Sequence, residues 1–127
     1  MVQRYFFCLL TLSALLLVFA SASADELRGD RAAASAGWEQ IDAGALVIDV
    51  RSEGEYANGH LPDASRIDYT DTDALAAAIG SDKTRSVVLY CGSGRRAELA
   101  RGALLERGYE NVFNAGGLDA LQATDPH

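Results

Sequence analysis

The sequence contains few of the residues that build disulfide frameworks and metal sites. Its 127 residues include two cysteines, Cys8 and Cys91, and two histidines, His60 and His127. These four residues are scattered along the chain without the close spacing that metal ligands show, so no metal or other cofactor is expected. The length also leaves no room for a second domain of ordinary size.

Positive charge is scarce as well. Lysine and arginine together number 11 against 18 aspartate and glutamate residues, which gives a formal net charge of −7. An acidic chain of this kind is a poor partner for nucleic acid or for an anionic membrane surface. Any anionic ligand must therefore be attracted by a local group of donors.

Long hydrophobic runs are absent except at the N-terminus. Arg4 precedes an apolar stretch over residues 5–20, and Ala22-Ser23-Ala24 follows it. This order of charge, apolar run and small residues is typical of a signal peptide. The alternative is an uncleaved membrane anchor, but a spanning helix needs ~20 apolar residues. We expect residues 1–24 to be a signal peptide, so that the cleaved protein is periplasmic and leaves the membrane.

Loss of the signal peptide removes Cys8 and leaves Cys91 alone. A disulfide within the exported chain is then impossible. An unpaired cysteine in an oxidising compartment either links two molecules or serves as a free reactive thiol. We expect a monomer, with a disulfide-linked dimer as the alternative.

The rest of the chain divides into two parts. Residues 25–37 are polar and alanine-rich with two glycines, which predicts a flexible N-terminal segment, either a tether or a frayed helix. Residues 38–127 alternate short apolar runs such as "ALVIDV" and "SVVLYC" with helical patterns. Alternation of this kind predicts an α/β fold with a parallel sheet and crossover helices.

Two of the helices have ends that the sequence indicates. Asp71 or Thr72 caps the first, and Gly80 closes it. The second begins just after "SVVLYC" and ends near Gly108, a residue type common after a helix C-terminus. Gly102 inside this helix costs about 1 kcal/mol relative to alanine, which suggests that the helix packs closely on the sheet there.

The segment "CGSGRR" joins the apolar strand to this second helix and carries the one retained thiol. A strand-to-helix turn gathers backbone N–H donors and the positive end of the helix dipole around one point. Gly92 and Gly94 allow the loop to fold inward as an anion nest. Together with Arg95 and Arg96, these donors favour the thiolate of Cys91, the nucleophilic form. The alternative is a buried, unreactive cysteine.

Three separated motifs carry a resemblance to a known family. "LVIDVRSEGEYANGHLPDA", "CGSGRR" and "GYENVFNAGGL" occur in this order, and together they resemble a rhodanese (sulfurtransferase) domain over roughly residues 45–121. The signal peptide and the single small domain are most similar to the periplasmic, phage-shock protein E type of this family. The resemblance implies a twisted parallel sheet flanked by helices, with the cysteine at the base of a six-residue loop.

The resemblance also implies a reaction. The Cys91 thiolate takes the outer sulfur of thiosulfate, becomes a persulfide and passes that sulfur to cyanide or a thiol. The loop amides hold the persulfide, and the two arginines attract the sulfonate of the donor. The substrate-binding residues implied in this way are the five that follow the cysteine: Gly92, Ser93, Gly94, Arg95 and Arg96.

Two other functions compete with this one. Cysteine-dependent phosphatases and arsenate reductases use a C-x5-R loop, but Ala97 occupies that position here and Arg96 stands one residue too early. Loop geometry therefore disfavours phosphate or arsenate chemistry. The second competitor is a persulfide carrier or interaction module that turns over little free thiosulfate.

Three residues upstream complete the candidate set as structural support. Asp49 and Arg51 could form an acid/base pair, but sulfur transfer to a thiolate needs no general base. A buried ion pair, with Glu55 as a further partner, is the favoured interpretation because buried charges require partners. His60 in "GHLPDA" could serve as a base for Cys91, although a capping or packing role in a turn is favoured.

Overall fold

A computed structural model of the protein describes Ala24 and residues 26–127. The predicted signal peptide, apart from Ala24, lies outside the described residues. Among those that are described, no helix has both the length and the apolar character needed to cross a bilayer. The elements in chain order are α1 (residues 26–42), β1 (Leu46–Asp49), α2 (Glu53–Ala57), β2 (Ser65–Arg66), α3 (Thr72–Ile79), β3 (Val87–Cys91), α4 (Arg95–Glu106), β4 (Val112–Gly117) and α5 (Leu118–Ala123).

The four strands form one parallel sheet in the order β2-β1-β3-β4. Strand β3 lies between β1 and β4, so that Val88 is aligned with Val47 on one side and with Phe113 on the other. All five residues of β3 are buried, as expected for a parallel strand with helices on both faces. The predicted α/β class with a parallel sheet flanked by helices is confirmed.

The sheet separates two hydrophobic clusters. Successive side chains of a strand point to opposite faces, so Leu89 and Cys91 join the cluster beneath α3 and α4. Val88 and Tyr90 join the cluster beneath α1 and α5, where Trp38 packs. The thiol of Cys91 therefore faces the α4 side of the sheet and the ring of Tyr90 faces the other.

Helix α1 differs from the expectation for residues 25–37. The chain is helical over residues 26–37, Ala34 is completely buried, and the packed unit begins before Trp38. The difference arises because small residues let the helix lie against β4. The approach is so close that a Cβ added to Gly37 would lie only 2.5 Å from the Cβ of Ala115. Alanine favours helix, and small side chains on one face let this helix approach β4 closely.

The predicted helix ends agree with the structure. Asp71 is the N-cap of α3, and its carboxylate accepts a hydrogen bond from the Ala74 amide at 3.0 Å. Gly80 is the C-cap, and Gly108 follows α4 with φ of +90°. The inference from Gly102 was wrong, since no atom lies within 4 Å of the position of an added Cβ.

Candidate active site

Cys91 is the last residue of β3, and its side chain lies under the loop that leads into α4. The residue has no exposed surface. The backbone amide of Gly94 donates a hydrogen bond to Sγ at 3.0 Å. Gly94 is the N-cap of the twelve-residue α4, so the positive end of this helix dipole lies beside the sulfur. The arrangement stabilises negative charge on Sγ, or on a sulfur atom bonded to it.

The loop is packed tightly against the end of β4. Cys91 is aligned with Gly117 in the sheet. A Cβ added to Gly117 would collide with the carbonyl of Gly92, and one added to Gly94 would lie 3.1 Å from Cα of Gly116. Gly94 has φ of +91°, a conformation that residues with a side chain rarely adopt. Glycine is thus required on both sides of the contact that shapes the loop.

Asn114 ties the same loop to β4. Its Nδ2 donates to the carbonyl of Gly94 at 2.9 Å and to a carboxylate oxygen of Glu98 at 3.1 Å. Its Oδ1 accepts from the amide of Gly116 at 3.0 Å. Sequence reasoning did not select this residue, although an asparagine two residues before a glycine pair is a typical turn-forming sequence.

Arg96 forms a two-pronged ion pair with Glu55 across the loop. The distances are 2.7 Å from Nη1 to Oε1 and 2.9 Å from Nη2 to Oε2. This contact, followed by hydrogen bonds from Ser52, lowers the pKa of Glu55 to about 2. Glu55, with a smaller contribution from the neighbouring Cys91, raises the pKa of Arg96.

Glu55 is itself held in place by the start of α2. The hydroxyl of Ser52 caps that helix by accepting the Glu55 amide at 3.2 Å, and it donates to Oε1 at 3.0 Å. The sequence favours Glu55 as a partner of Asp49 and Arg51, and the structure differs. The hydrogen bonds of Glu55 go to Arg96 and Ser52.

Three other residues of the loop, Gly92, Ser93 and Arg95, are exposed to solvent. Within the described part of the chain, the Arg95 guanidinium takes part in no hydrogen bond or ion pair. Its charge is therefore available to an anion that approaches the loop, whereas the charge of Arg96 is already balanced by Glu55.

Asp49 and Arg51 form a buried ion pair at the end of β1. The Arg51 Nη2 lies 2.7 Å from Asp49 Oδ2, and the Arg51 Nε and backbone amide also donate to this carboxylate. The Nη2 atom donates further to the carbonyl of Gly59 at 2.8 Å. These contacts hold the turn after β1, and none of them includes Cys91 or its loop.

His60 lies in the same turn. Its Nδ1 is 2.8 Å from the carbonyl oxygen of Tyr56, and its ring stacks on the Tyr56 ring with centroids 3.6 Å apart. Tyr56 in turn donates through its hydroxyl to the carbonyl of Ala64. The structure brings His60 to Tyr56 and shows no contact with Cys91. Across the described residues, no three His, Cys, Asp or Glu side chains form a group that could hold a metal ion.

A model of the rhodanese-like domain family matches residues 33–124. The chain belongs to this family. Membership agrees with the parallel sheet and with the position of Cys91 at the end of β3, before the loop to α4.

Among curated proteins, thiosulfate sulfurtransferase PspE of Escherichia coli (strain K12) is 38% identical over 71 residues, which cover 56% of this chain and 68% of PspE. The tRNA uridine(34) hydroxylase of Hamiltonella defensa is 37% identical over 80 residues, or 60% of this chain. The chain spans only 22% of the length of that hydroxylase.

Solved structures show the same fold. A rhodanese with anions from E. coli is 35% identical, with a TM-score of 0.57 over 61% of this chain and 91% of that one. A solution structure of a Helicobacter pylori protein is 32% identical, with a TM-score of 0.55 over 64% of this chain and 74% of that one. The rhodanese-like family includes sulfurtransferases, and other activities occur among its members.

Proposed function

We propose that the protein is a thiosulfate sulfurtransferase that carries sulfane sulfur on Cys91. The observation that carries the proposal is the hydrogen bond from the Gly94 amide to Sγ at the N-terminus of α4. Preorganised donors of this kind stabilise an anionic nucleophile and the charge that develops during its attack. The similarity to PspE supports thiosulfate as the donor.

The reaction has two halves. The Cys91 thiolate attacks the outer sulfur of thiosulfate, the S–S bond of the donor breaks, and sulfite leaves with the electron pair. The acceptor, cyanide or a thiolate, then attacks the outer sulfur of the persulfide. Cys91 leaves as a thiolate and is ready for another donor. Neither half requires a metal, an added oxidant or a general base.

The two arginines have different parts in this cycle. Arg95 is exposed and unpaired among the described residues, so it attracts the sulfonate of the donor. Arg96 lies over the loop, since a Cβ added to Gly92 would be 3.2 Å from its Nη2 atom. It is a positioning residue, held by Glu55, that keeps the loop closed around the sulfur. Asp49, Arg51 and His60 support the neighbouring turn.

A persulfide carrier is the second candidate, and the burial of Cys91 favours it. With no exposed surface on the residue, a donor in solution reaches the sulfur only when the loop moves. A partner protein that opens the loop would deliver sulfur faster than free thiosulfate does. The carrier would form a stable persulfide and show negligible turnover.

Export to the periplasm is part of the proposal. It is supported by Arg4, the apolar residues 5–20 and the small residues up to Ala24. The burial of Cys91 argues against a disulfide-linked dimer, because two buried sulfur atoms do not meet without opening both loops.

The test is the intact mass of the purified protein after thiosulfate treatment, and again after cyanide is added. The expected result is a gain of one sulfur atom that cyanide removes, together with thiosulfate:cyanide turnover. Cys91→Ser is expected to show neither. Full turnover by Cys91→Ser would exclude the mechanism, and a stable persulfide without turnover would identify the carrier instead.

A further inference from the structure

A cleft of about 350 Å³ opens beside the catalytic loop, between the first turns of α1 and helix α5. The loop contributes Gly92 and Ser93, the two exposed residues directly after the nucleophile. This volume is at the lower end of the range for small-molecule sites. The cleft therefore suits a small molecule rather than a segment of another protein. Its remaining lining residues are Leu27, Asp30, Arg31, Asp119, Ala120 and Ala123.

One wall of the cleft lies outside the part of the chain that matches the rhodanese-like family. The match begins at residue 33, whereas Leu27, Asp30 and Arg31 precede it on α1. Residues spaced by three and four positions share one face of a helix, so these three side chains extend the face that carries the buried Ala34. Leu27 is 63% exposed at this position, which leaves an apolar surface next to the loop.

The polar lining of the cleft carries both signs of charge. Asp30 on α1 and Asp119 on α5 are acidic, and Arg31 is basic. All three are exposed, and within the described residues none of their side chains is engaged in a hydrogen bond or an ion pair. A ligand that complements them has an ammonium group for the two carboxylates and a carboxylate for the guanidinium.

We propose that this cleft binds the acceptor of the second half-reaction, and that the acceptor is a small α-amino thiol such as cysteine. Its ammonium contacts Asp30 and Asp119, its carboxylate contacts Arg31, and its methylene lies against Leu27. The thiol is then directed toward Gly92 and Ser93, the loop residues that follow Cys91, and it reaches the persulfide when the loop opens. The inference rests on the proposed sulfur transfer.

The step balances without any further reactant. The acceptor thiol loses its proton to solvent, and its sulfur attacks the outer sulfur of the Cys91 persulfide. The bond between that outer sulfur and Sγ breaks as the new S–S bond forms, so the products are the free Cys91 thiolate and the acceptor persulfide. No net oxidation occurs.

The test compares four acceptors at saturating thiosulfate: L-cysteine, cysteamine, which lacks the carboxylate, 3-mercaptopropionate, which lacks the ammonium, and cyanide. Each is used with the wild-type protein, with Arg31→Gln, with the pair Asp30→Asn and Asp119→Asn, and with Glu39→Gln as the control. Glu39 is an exposed acid of α1 outside the cleft. Ratios of kcat/KM between variants for one acceptor cancel the intrinsic reactivity of each thiol.

Arg31→Gln is expected to lower kcat/KM for L-cysteine and 3-mercaptopropionate about threefold to fivefold and to leave cysteamine and cyanide unchanged. The paired aspartate variant is expected to lower kcat/KM for L-cysteine and cysteamine by a similar factor. Its kcat/KM for 3-mercaptopropionate and cyanide should be unchanged. Glu39→Gln should change none of the four. If the cleft variants alter all four acceptors equally, or none, the acceptor site is refuted.

The cyanide arm separates this result from a failure of the proposed function. If the wild-type protein shows neither the persulfide mass nor turnover with cyanide, sulfur transfer itself is refuted, and the acceptor site with it. Normal cyanide turnover without the charge-dependent pattern would refute the acceptor site alone.

Discussion

Replacing Gly94 by alanine should disable the loop at the point where it contacts the sulfur. An L-residue at the φ of +91° that Gly94 adopts costs about 1–2 kcal/mol. The new Cβ would also lie 3.1 Å from Cα of Gly116, a backbone atom of β4. We therefore expect Gly94→Ala to lower the free energy of unfolding by about 2 kcal/mol.

The effect on activity follows from the Gly94 amide. Any relief of the strain shifts this N–H away from Sγ, which it now approaches to 3.0 Å. A hydrogen bond to a charged group contributes about 1.5–3 kcal/mol. Its loss corresponds to a fall in kcat/KM for thiosulfate of roughly 10-fold to 100-fold. Steady-state thiosulfate:cyanide kinetics measure the activity, and urea unfolding followed by Trp38 fluorescence measures the stability.

Gly102→Ala is the matched control, because it makes the same substitution in the same helix. No atom lies within 4 Å of its added Cβ. Alanine should therefore stabilise the protein by about 0.5–1 kcal/mol and leave kcat/KM within twofold of wild type. If Gly94→Ala were as active and as stable as Gly102→Ala, the assignment of the Gly94 amide as a hydrogen-bond donor to Sγ would be refuted.

Three further outcomes are expected. Arg51→Met should destabilise the protein by about 3–5 kcal/mol in urea unfolding, because it strands the buried carboxylate of Asp49, and adding Asp49→Asn should recover part of that loss. Glu55 has its pKa lowered to about 2 by Arg96, so the stability from this pair is complete above pH ~4.5 and is lost as the pH falls toward 2. Glu55→Gln should be about 1 kcal/mol less stable than wild type at pH 6 and should converge with it in acid, since the carboxylate is partly exposed; a constant difference across this range would contradict the ion pair. Arg95→Ala should raise KM for thiosulfate several-fold with kcat unchanged, and an unchanged KM would remove Arg95 from donor binding.

The parts of the fold that could be predicted depend on neighbours in sequence. Asp71 and Gly80 act on the ends of the helix beside them, and the apolar run of β3 has the composition of a buried parallel strand. The position of Cys91 at the end of a strand and shortly before a helix can also be predicted from the residues next to it. Each of these features follows from a residue and its immediate surroundings.

The parts that could not be predicted depend on contacts between distant segments. Arg96 is 41 residues from Glu55, and the fold, rather than the spacing, brings them together. Asn114 likewise reaches back across 20 residues to the loop. The first part of helix α1 looked like a polar tether because its alanine-rich composition fits either an exposed helix or one packed on a sheet. The burial of Ala34 and the close approach of Gly37 to Ala115 distinguish the two.

The complete burial of Cys91 makes the loop a kinetic filter. A sulfur atom with no exposed surface reacts no faster than the loop above it opens, whatever the reagent. A small anion such as thiosulfate or cyanide needs a smaller opening of the loop than a bulky disulfide, which must also meet the geometry of thiolate attack. A thiol buried in this way is modified by large reagents more slowly than an exposed thiol is. Comparing the modification rates of native Cys91 by methyl methanethiosulfonate and by an aromatic disulfide of similar leaving-group acidity would measure how sharply the filter discriminates by size.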